Sequence, residues 1–223
     1  MAGQIQRRIH GISISKPIIY GNYAEPVSEK NPLPPNAPKD HTHIWTLFVK
    51  DPTGQDLSSY IKRVVFKLHE TYPNPNRTVD HPPFELRESG WGEFEVAIKI
   101  YFNSICGEKS VTLYHNLKLH PYPPEVVSLN AGAPVTTKEG RVESILYEEI
   151  VFNEPTEKMF RLLTAKPGSL LPYRSEKTPF TKEHEREEED RIDQAKELVR
   201  HQLEKRTAEF RELEVERQRL MQM

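Results

Sequence analysis

Apolar residues recur at every second position in several short stretches of the chain, which is the period of a β-strand with one buried face. The clearest of these faces consists of Phe94, Val96, Ile98, Ile100 and Phe102. The stretch His41–Lys50 is apolar on both faces, with Trp45 and Leu47 on one and Ile44 and Phe48 on the other. Such a pattern is typical of a strand that is covered on both sides.

Similar patterns predict about seven strands in the first part of the chain. The other strand segments lie within Ile5–Tyr20, Ile61–Tyr72, Val111–Leu119 and Ile145–Phe152. Turn-forming residues separate them at Asp51–Gly54, Pro73–Asn76 and Cys106–Glu108. Short strands without intervening helices indicate an all-β protein, an antiparallel sandwich or barrel.

Two segments of this part carry little strand pattern. Residues 24–40 are rich in proline and predict a connection, and residues 123–143 have few large apolar groups and predict a flexible insertion. A short helix is expected after the last strand, with Asn153 as N-cap, Pro155 in the first turn and Pro167-Gly168 at its end. Its apolar residues, which we expect to pack on the sandwich, are Met159, Phe160, Leu162 and Leu163.

The composition changes near residue 175, after which the chain has 14 acidic and 11 basic residues and no glycine. This predicts a long helix that begins after Thr178 or Thr181, either of which suits the N-cap. Its apolar stripe consists of Ile192, Ala195, Val199, Leu203, Phe210, Leu213 and Leu220. A helix cannot bury such a stripe by itself, so we expect a coiled coil with another chain rather than a solvated helix.

The overall composition limits the compartment and the partners. The chain has 223 residues, a net charge of −2 and one cysteine, Cys106, so it cannot form an intrachain disulfide. Its first residues lack the apolar core of a secretory signal, and no apolar run approaches the ~20 residues that span a bilayer. We therefore expect a cytosolic or nuclear protein that does not enter membranes.

No motif for catalysis or metal binding is present. Nine histidines occur, including the pair in His41-Thr42-His43, but there are no cysteine pairs and no His-Glu-x-x-His sequence. Nucleophile elbows, phosphate loops and dinucleotide fingerprints are also missing. We expect no enzyme activity, no cofactor and no metal. The basic residues Lys62, Arg63 and Lys67 suit either an acidic partner or a solvated strand face, and no motif for sequence-specific nucleic-acid binding accompanies them.

One aromatic residue is in a position that is unusual for the hydrophobic core. Trp91 lies between Gly90 and Gly92 in a predicted tight loop between strands, and glycine is used where the backbone must turn or be approached closely. Upstream, Tyr72 ends a strand-like run beside Thr71 and His69. If the two loops meet, the aromatic rings and polar groups form a binding slot. The alternative is that Tyr72 and Trp91 plug one end of the sandwich.

Five stretches of the chain resemble the YEATS domain in order and spacing. They are His41–Val49, Val64–Pro73, Pro82–Leu86, Ser89–Phe94 and Glu149–Pro155. The resemblance covers residues 5–168 and implies an immunoglobulin-like β-sandwich with a short packing helix. It leaves residues 169–180 as a linker and 181–221 as a coiled-coil helix.

The resemblance implies that the slot reads acylated lysine, such as acetyl- or crotonyl-lysine, on histone tails. It assigns the aromatic sandwich to Tyr72 and Trp91. Thr71, which replaces a serine of the family, supplies the hydroxyl for the acyl amide, and the backbone amide of Trp91 binds the acyl carbonyl. The remaining residues that the resemblance places around the slot are His41, His69, Gly90, Gly92 and Phe94. Asn116 stands near a position that is acidic in some relatives.

The resemblance also implies partners. With its C-terminal helix, the chain is most similar to the fungal YEATS subunit of the family. A variant-histone-exchange remodeller and a histone acetyltransferase complex of the nucleus share this subunit. We expect the helix to bind subunits of these complexes. The alternative function is that of a structural adaptor, in which the sandwich and the coiled coil dock other subunits without reading acyl-lysine.

Overall fold

Alternating apolar positions build two antiparallel sheets in the computed structural model of the chain, which describes residues 7–122, 135–137, 140–165 and 181–221. The nine strands of these residues are β1 (Ser13–Pro26), β2 (His43–Lys50), β3 (Ile61–Lys67), β4 (Asn76–Val79), β5 (Phe84–Gly90), β6 (Glu95–Phe102), β7 (Val111–Asn116), β8 (Val135–Thr136) and β9 (Val142–Asn153). One sheet has the order β5-β2-β1-β9-β8 and the other β4-β3-β6-β7. The predicted immunoglobulin-like sandwich is confirmed.

The core lies between the two sheets. It contains the inward residues of β2 and of the facing strands, among them Trp45, Leu47, Phe66, Ile98 and Ile100, which are almost completely buried. Burial of side chains of this size contributes about 1.5–3 kcal/mol each to stability relative to their exposure. Strand β2 is covered on both faces, as predicted. On its outer face, Phe48 is buried under the ring of Tyr23, and the two ring centroids are 4.6 Å apart.

Several predicted strand limits were wrong. The first strand begins at Ser13 and continues to Pro26, into the segment expected to be a connection, and the third ends at Lys67, so that residues 68–72 form a turn. The strand expected over Val111–Leu119 ends at Asn116, although Leu117 and Leu119 are buried beyond it.

Strands β4 and β8 had no sequence signal, because each has at most four residues. Strand β8 and the first residues of β9 lie within the predicted insertion at 123–143 and pair with each other, which corrects that part of the prediction. Residues 123–134 and 138–139 of the insertion lie outside the described part of the chain.

Helix α1 spans Glu157–Thr164, and its N-cap is Thr156 rather than Asn153. The Thr156 hydroxyl accepts a hydrogen bond from the backbone N–H of Met159 at 3.2 Å. Asn153 is instead the last residue of β9, where its side chain accepts a hydrogen bond from Ser13, and Pro155 precedes the cap. Met159 and Leu163 are buried as expected, whereas Leu162 is exposed. The predicted end at Pro167-Gly168 lies outside the described residues.

The described residues form two compact units, one within residues 1–169 and one within 170–223. The second unit contains helix α2, which spans Lys182–Met221. Thr181 caps it, because its hydroxyl accepts from the backbone N–H of His184 at 3.1 Å, whereas the other candidate, Thr178, is not among the described residues. No residue of α2 is buried, and its apolar stripe is exposed throughout. Neither α1 nor α2 is long and apolar enough to cross a membrane.

Candidate functional site

Strand pairing brings three distant segments of the chain to one end of the sandwich. Strand β2 pairs with β5 so that His43 is opposite Gly90, and β3 pairs with β6 so that Lys67 is opposite Ala97. The residues just before β2, just after β3 and between β5 and β6 therefore meet. Because these pairings join residues that are far apart in the sequence, the sequence alone supported the contact between the loops only as a hypothesis.

The three segments form a groove of about 740 Å³, a volume typical of ligand sites. All eight residues singled out from the sequence line it: His41, His69, Thr71, Tyr72, Gly90, Trp91, Gly92 and Phe94. The loops therefore come together as the slot hypothesis required.

Tyr72 forms the fixed side of the groove. Its hydroxyl donates a hydrogen bond to the backbone oxygen of Ser89 at 3.0 Å, and its ring contacts Trp45 and Phe94 with centroids 5.9 and 5.6 Å away. Burial raises the pKa of Tyr72, although the Trp45 indole opposes this shift, so the phenol stays protonated and keeps its role as donor. Gly90 is required beside it, because a Cβ there would lie 2.3 Å from the Tyr72 hydroxyl oxygen.

Thr71 and His69 provide the polar groups of the groove. The Thr71 hydroxyl lies 3.0 Å from Nδ1 of His69, and the backbone N–H of Tyr72 donates to the carbonyl of His69 at 3.1 Å, which closes a tight turn. Both side chains are exposed to solvent within the groove. The turn thus holds the hydroxyl in a fixed direction while leaving it accessible.

Trp91 is the most exposed tryptophan, tyrosine or phenylalanine of the described sandwich. Its side chain is 67% exposed, and no other ring packs against it among the described residues. Its backbone N–H also has no hydrogen-bond acceptor in that part of the chain. Gly92 has open space where a Cβ would lie. The loop therefore presents an unused aromatic face and an unused donor to the groove, which is evidence against a plug of the sandwich end.

The remaining lining residues complete the walls. His41 is held by Ser89, whose hydroxyl is 2.8 Å from Nδ1, and its ring centroid lies 6.5 Å from that of Tyr72. Phe94 packs partly on the core and has its ring centroid 6.1 Å from that of His69. Asn116 is exposed at the end of β7 and is not part of the lining.

Sequence reasoning missed one whole wall of the groove. It consists of residues from the proline-rich connection: Pro34, Asn36, Ala37, Pro38 and Asp40. The proline content predicted a connection, but no local pattern shows which surface such a connection covers. Pro73, Glu88 and Glu93 also line the groove, and no sequence pattern singled them out.

Both of these glutamates form ion pairs with basic residues outside the groove lining. Glu88 forms an ion pair with Arg77 at 3.2 Å. Glu93 accepts hydrogen bonds from the backbone N–H of Leu119 at 2.8 Å and from the ammonium of Lys118 at 3.0 Å. Burial alone would raise the pKa of Glu93, but these bonds outweigh it and lower the pKa. Glu93 therefore stays ionised and fixes the loop after β7 next to the groove.

The histidines do not form a metal site in the described part of the chain. No group of three or more histidine, cysteine, aspartate or glutamate side chains is arranged around a common point there. His43 packs edge-on against His120, and the two ring centroids are 5.0 Å apart. His115 is buried, and its Nε2 lies 2.8 Å from the side-chain oxygen of Asn22. The sandwich thus uses these rings as packing and hydrogen-bonding groups.

Comparisons with known proteins agree with this geometry. The model of the YEATS family matches residues 40–121, which include most of the groove. The AF-9 homolog of Kluyveromyces lactis is 52% identical over 196 residues, a match that covers 86% of this chain and 87% of that protein. The chain belongs to the YEATS family.

Solved structures of Yaf9, the yeast AF-9 homolog, have the same fold. The Yaf9 YEATS domain bound to H3K27ac is 48% identical, covers 72% of this chain and 99% of the solved chain, and has a TM-score of 0.60. The Yaf9 YEATS domain recognizing an H3K122suc peptide is 46% identical, with coverages of 72% and 99% and a TM-score of 0.57.

Proposed function

We propose that this protein is a reader of acylated lysine on histone tails. The observation that carries the proposal is a groove lined both by Tyr72, which its neighbours hold in place, and by Trp91, whose ring is exposed. The related Yaf9 YEATS domain has been solved with two acylated histone peptides, one acetylated and one succinylated. Its likeness to this sandwich supports the same class of ligand here.

The groups at the groove suit a neutral acyl amide. Acylation turns a lysine ammonium into a flat, polarisable amide, and aromatic rings pack well against a planar group. The amide has one N–H donor and one carbonyl acceptor, and each needs a partner when it is buried, because an unsatisfied group costs about 1–3 kcal/mol. The Thr71 hydroxyl and the Trp91 backbone N–H fill these two roles. His69 holds the Thr71 hydroxyl at 3.0 Å and so keeps it in place before the ligand arrives.

Unmodified lysine is disfavoured by the same groove. An ammonium between the rings has to give up its water, and burying a charge without a partner is far more costly than burying an amide. The carboxylates of Glu88 and Glu93 are already paired with Arg77 and Lys118. Asp40 is exposed at the rim, where water screens it. Selectivity for the acylated form follows from these charges.

The rest of the chain is assigned an assembly role. We propose residues 5–168 as the YEATS domain, 169–180 as a linker and 181–221 as a coiled-coil helix that binds subunits of remodelling and acetyltransferase complexes in the nucleus. The exposed apolar stripe of α2, which includes Val199, Leu203, Phe210 and Leu213, supports this assignment. The protein acts in this account as a non-catalytic binding module.

Titration of peptides into the full chain tests the reader function. An H3K27ac peptide should bind at least tenfold more tightly than the same peptide without the acetyl group, as measured by calorimetry. Equal affinity for the two peptides would refute the reader function and favour the structural adaptor. Deletion of residues 181–223 should leave peptide binding unchanged and abolish co-purification with partner subunits. If the shortened chain still assembles with them, the role of α2 is wrong.

A further inference from the structure

The outer surface of the four-stranded sheet carries an unusual set of charges. Positions of β3 and β6 that alternate with the core residues point outward, and among them are Arg63, Lys67 and Lys99. The register places Arg63 opposite Tyr101, and Val65 opposite Lys99. Across all four strands of this sheet, Glu95 is the only acidic residue. We call the surface formed by Arg63, Lys67, Lys99 and Tyr101 the basic face.

The cations of the basic face have no acidic partners among the described residues. By contrast, two cations beside the outer surface of the other sheet form ion pairs, Lys50 with Glu85 at 2.6 Å and Arg141 with Glu143. Nε of Arg63 is buried without any hydrogen-bond acceptor. A chain with a net charge of −2 therefore keeps a local group of unneutralised cations on one surface.

An aromatic ring holds two of these cations side by side. The guanidinium carbon of Arg63 lies 5.4 Å and Nζ of Lys99 lies 5.2 Å from the centroid of Tyr101. The attraction of each cation to the ring offsets part of the repulsion between the like charges. The arrangement fixes both positive groups beside the ring, and neither of them forms an ion pair among the described residues.

The neighbouring outward residues are uncharged hydrogen-bonding groups. Strand β7 contributes Thr112, Tyr114 and Asn116, and β4 contributes Thr78; all four are exposed, and Tyr114 is opposite Ala97 of β6. Hydroxyl and amide side chains together with arginine and lysine are the groups that contact nucleic-acid phosphates. The surface offers no exposed aliphatic residue for insertion into a lipid bilayer, and it is a flat sheet rather than a groove for a peptide.

The dimensions of the basic face match a phosphate backbone. Arg63 and Lys67 are four residues apart on one strand, which is about 13 Å at 3.3 Å per residue, and Lys99 lies beside the middle of that span. Duplex DNA carries one negative charge per ~1.7 Å of its axis, so a span of this length runs past several phosphates. Lys67 ends β3 two residues before His69 of the groove, which places the basic face next to the groove.

We propose that the basic face binds the phosphate backbone of duplex DNA without reading its sequence. The proposal goes beyond peptide reading, and it rests on the proposed function only in that a histone-tail reader works beside DNA. Three phosphate contacts, one from each cation, are the core of the interaction.

Fluorescence anisotropy with a labelled 20-base-pair duplex and the full chain tests this proposal. Between 50 and 200 mM NaCl, the logarithm of the binding constant should fall against the logarithm of the salt concentration with a slope of about −2.7, which is about −0.9 per phosphate contact. Two duplexes of different sequence should bind equally. Absence of binding at 50 mM NaCl, or a preference of more than tenfold between the duplexes, would overturn the proposal.

Matched variants distinguish an effect of the basic face on DNA binding from an effect of the total charge of the chain. The variant with Arg63→Gln, Lys67→Gln and Lys99→Gln should bind DNA at least tenfold more weakly. A control with Lys30→Gln, Lys158→Gln and Arg161→Gln, which removes the same charge from exposed positions elsewhere, should stay within twofold of the unaltered chain. Equal losses in the two variants would contradict a defined face. Because Nε of Arg63 is buried, the double variant Lys67→Gln with Lys99→Gln provides the check that does not depend on Arg63, and its slope should shrink by about 1.8.

Two cross-measurements keep this proposal apart from the peptide reader. Trp91→Ala should leave DNA binding unchanged, and the triple variant of the basic face should leave binding of the H3K27ac peptide unchanged. If peptide binding fails in the unaltered chain while DNA binding follows the predictions, only the reader function is wrong. If the basic-face variants bind DNA normally, only the DNA proposal is wrong.

Discussion

The two tryptophans of this chain, Trp45 and Trp91, differ most in their burial. Trp45 is 1% exposed and packs in the core, with its ring centroid 5.9 Å from that of Tyr72. Trp91 is 67% exposed and has no ring neighbour in the described residues. The difference follows from the local sequence, because Trp45 alternates with apolar residues in a strand whereas Trp91 stands between two glycines.

The comparison shows how one end of the sandwich is divided between support and recognition. The buried ring of Trp45 fixes Tyr72, and Tyr72 in turn donates a hydrogen bond to Ser89 of the strand that leads to Trp91. A rigid support of this kind lets a loop keep an aromatic ring in water ready for a ligand, since binding residues tend to lie on loops that a scaffold positions. Stability and binding should therefore respond separately to changes at the two residues.

Trp45→Ala should have the largest effect. Removing a fully buried tryptophan leaves a cavity and lost contacts, which typically costs about 3–5 kcal/mol. Urea unfolding followed by circular dichroism measures this change. Trp91→Ala is the matched control and should alter the free energy of unfolding by less than about 0.5 kcal/mol, as most exposed substitutions do. Equal destabilisation by the two substitutions would remove the distinction between them.

Acid should destabilise the sandwich through the buried His115. Burial, helped by the charge of Lys118, lowers the pKa of His115 from 6.5 to about 4. The unfolded chain therefore binds a proton in this range that the folded chain does not, and stability should fall as the pH drops from about 6.5 towards 4. The loss is on the order of 3 kcal/mol for this residue.

Urea unfolding at several pH values measures the effect. His115→Gln keeps an amide near Asn22 and should flatten the pH dependence between pH 6.5 and 4. His81→Gln, at an exposed position, should leave it unchanged. If both variants keep the slope of the unaltered chain, the buried His115 is not its source.

The two glycines around Trp91 should behave differently. In Gly90→Ala the new Cβ meets the Tyr72 hydroxyl at 2.3 Å, and forcing atoms into a packed site typically costs about 1–3 kcal/mol. We expect lower stability and weaker peptide binding, because Tyr72 must move. Gly92→Ala meets no atom within 4 Å and should change both by less than about 0.5 kcal/mol. Thermal unfolding and peptide titration of the two variants test the difference, and the reverse order of effects would contradict it.

Thr71→Val should produce the smallest of these changes. It keeps the shape of the side chain but removes the hydroxyl, so the acyl amide loses one partner, at about 1–1.5 kcal/mol or five- to tenfold in affinity for the acetylated peptide. Thr71→Ser retains the hydroxyl and should bind within about twofold of the unaltered chain. Calorimetric titration compares the three proteins. A loss in the serine variant without a loss in the valine variant would mean that the methyl group, not the hydroxyl, matters.

The sequence anticipated the parts of this fold that depend on local periodicity. The strand of Trp45 and the strand that begins after Phe94 were evident because their apolar residues alternate over many positions. Strand β4 was not, since four residues between two turns carry no measurable period. The cap of α1 was misplaced because Asn153 and Thr156 are both suitable N-caps, and only the length of β9 decides between them.

The candidate site was foreseen in its residue types and not in its extent. The glycines around Trp91 and the resemblance to a family together pointed to eight lining residues. The wall at Pro34–Asp40 was missed because its position depends on how the connection between β1 and β2 crosses the sandwich end, which involves contacts between residues far apart in the chain. Glu93 was missed for the same reason, since its partners are 25 and 26 residues away.

The central claim is that the exposed Trp91 recognises the acyl group while the buried Trp45 only supports the groove. Calorimetric titration of acetylated and unmodified H3 peptides into the full chain and into Trp91→Ala, with unfolding curves for both proteins, tests it most directly. We predict that the unaltered chain prefers the acetylated peptide at least tenfold, and that Trp91→Ala loses this preference while it unfolds at the same urea concentration. Retention of the preference in stably folded Trp91→Ala would contradict the account.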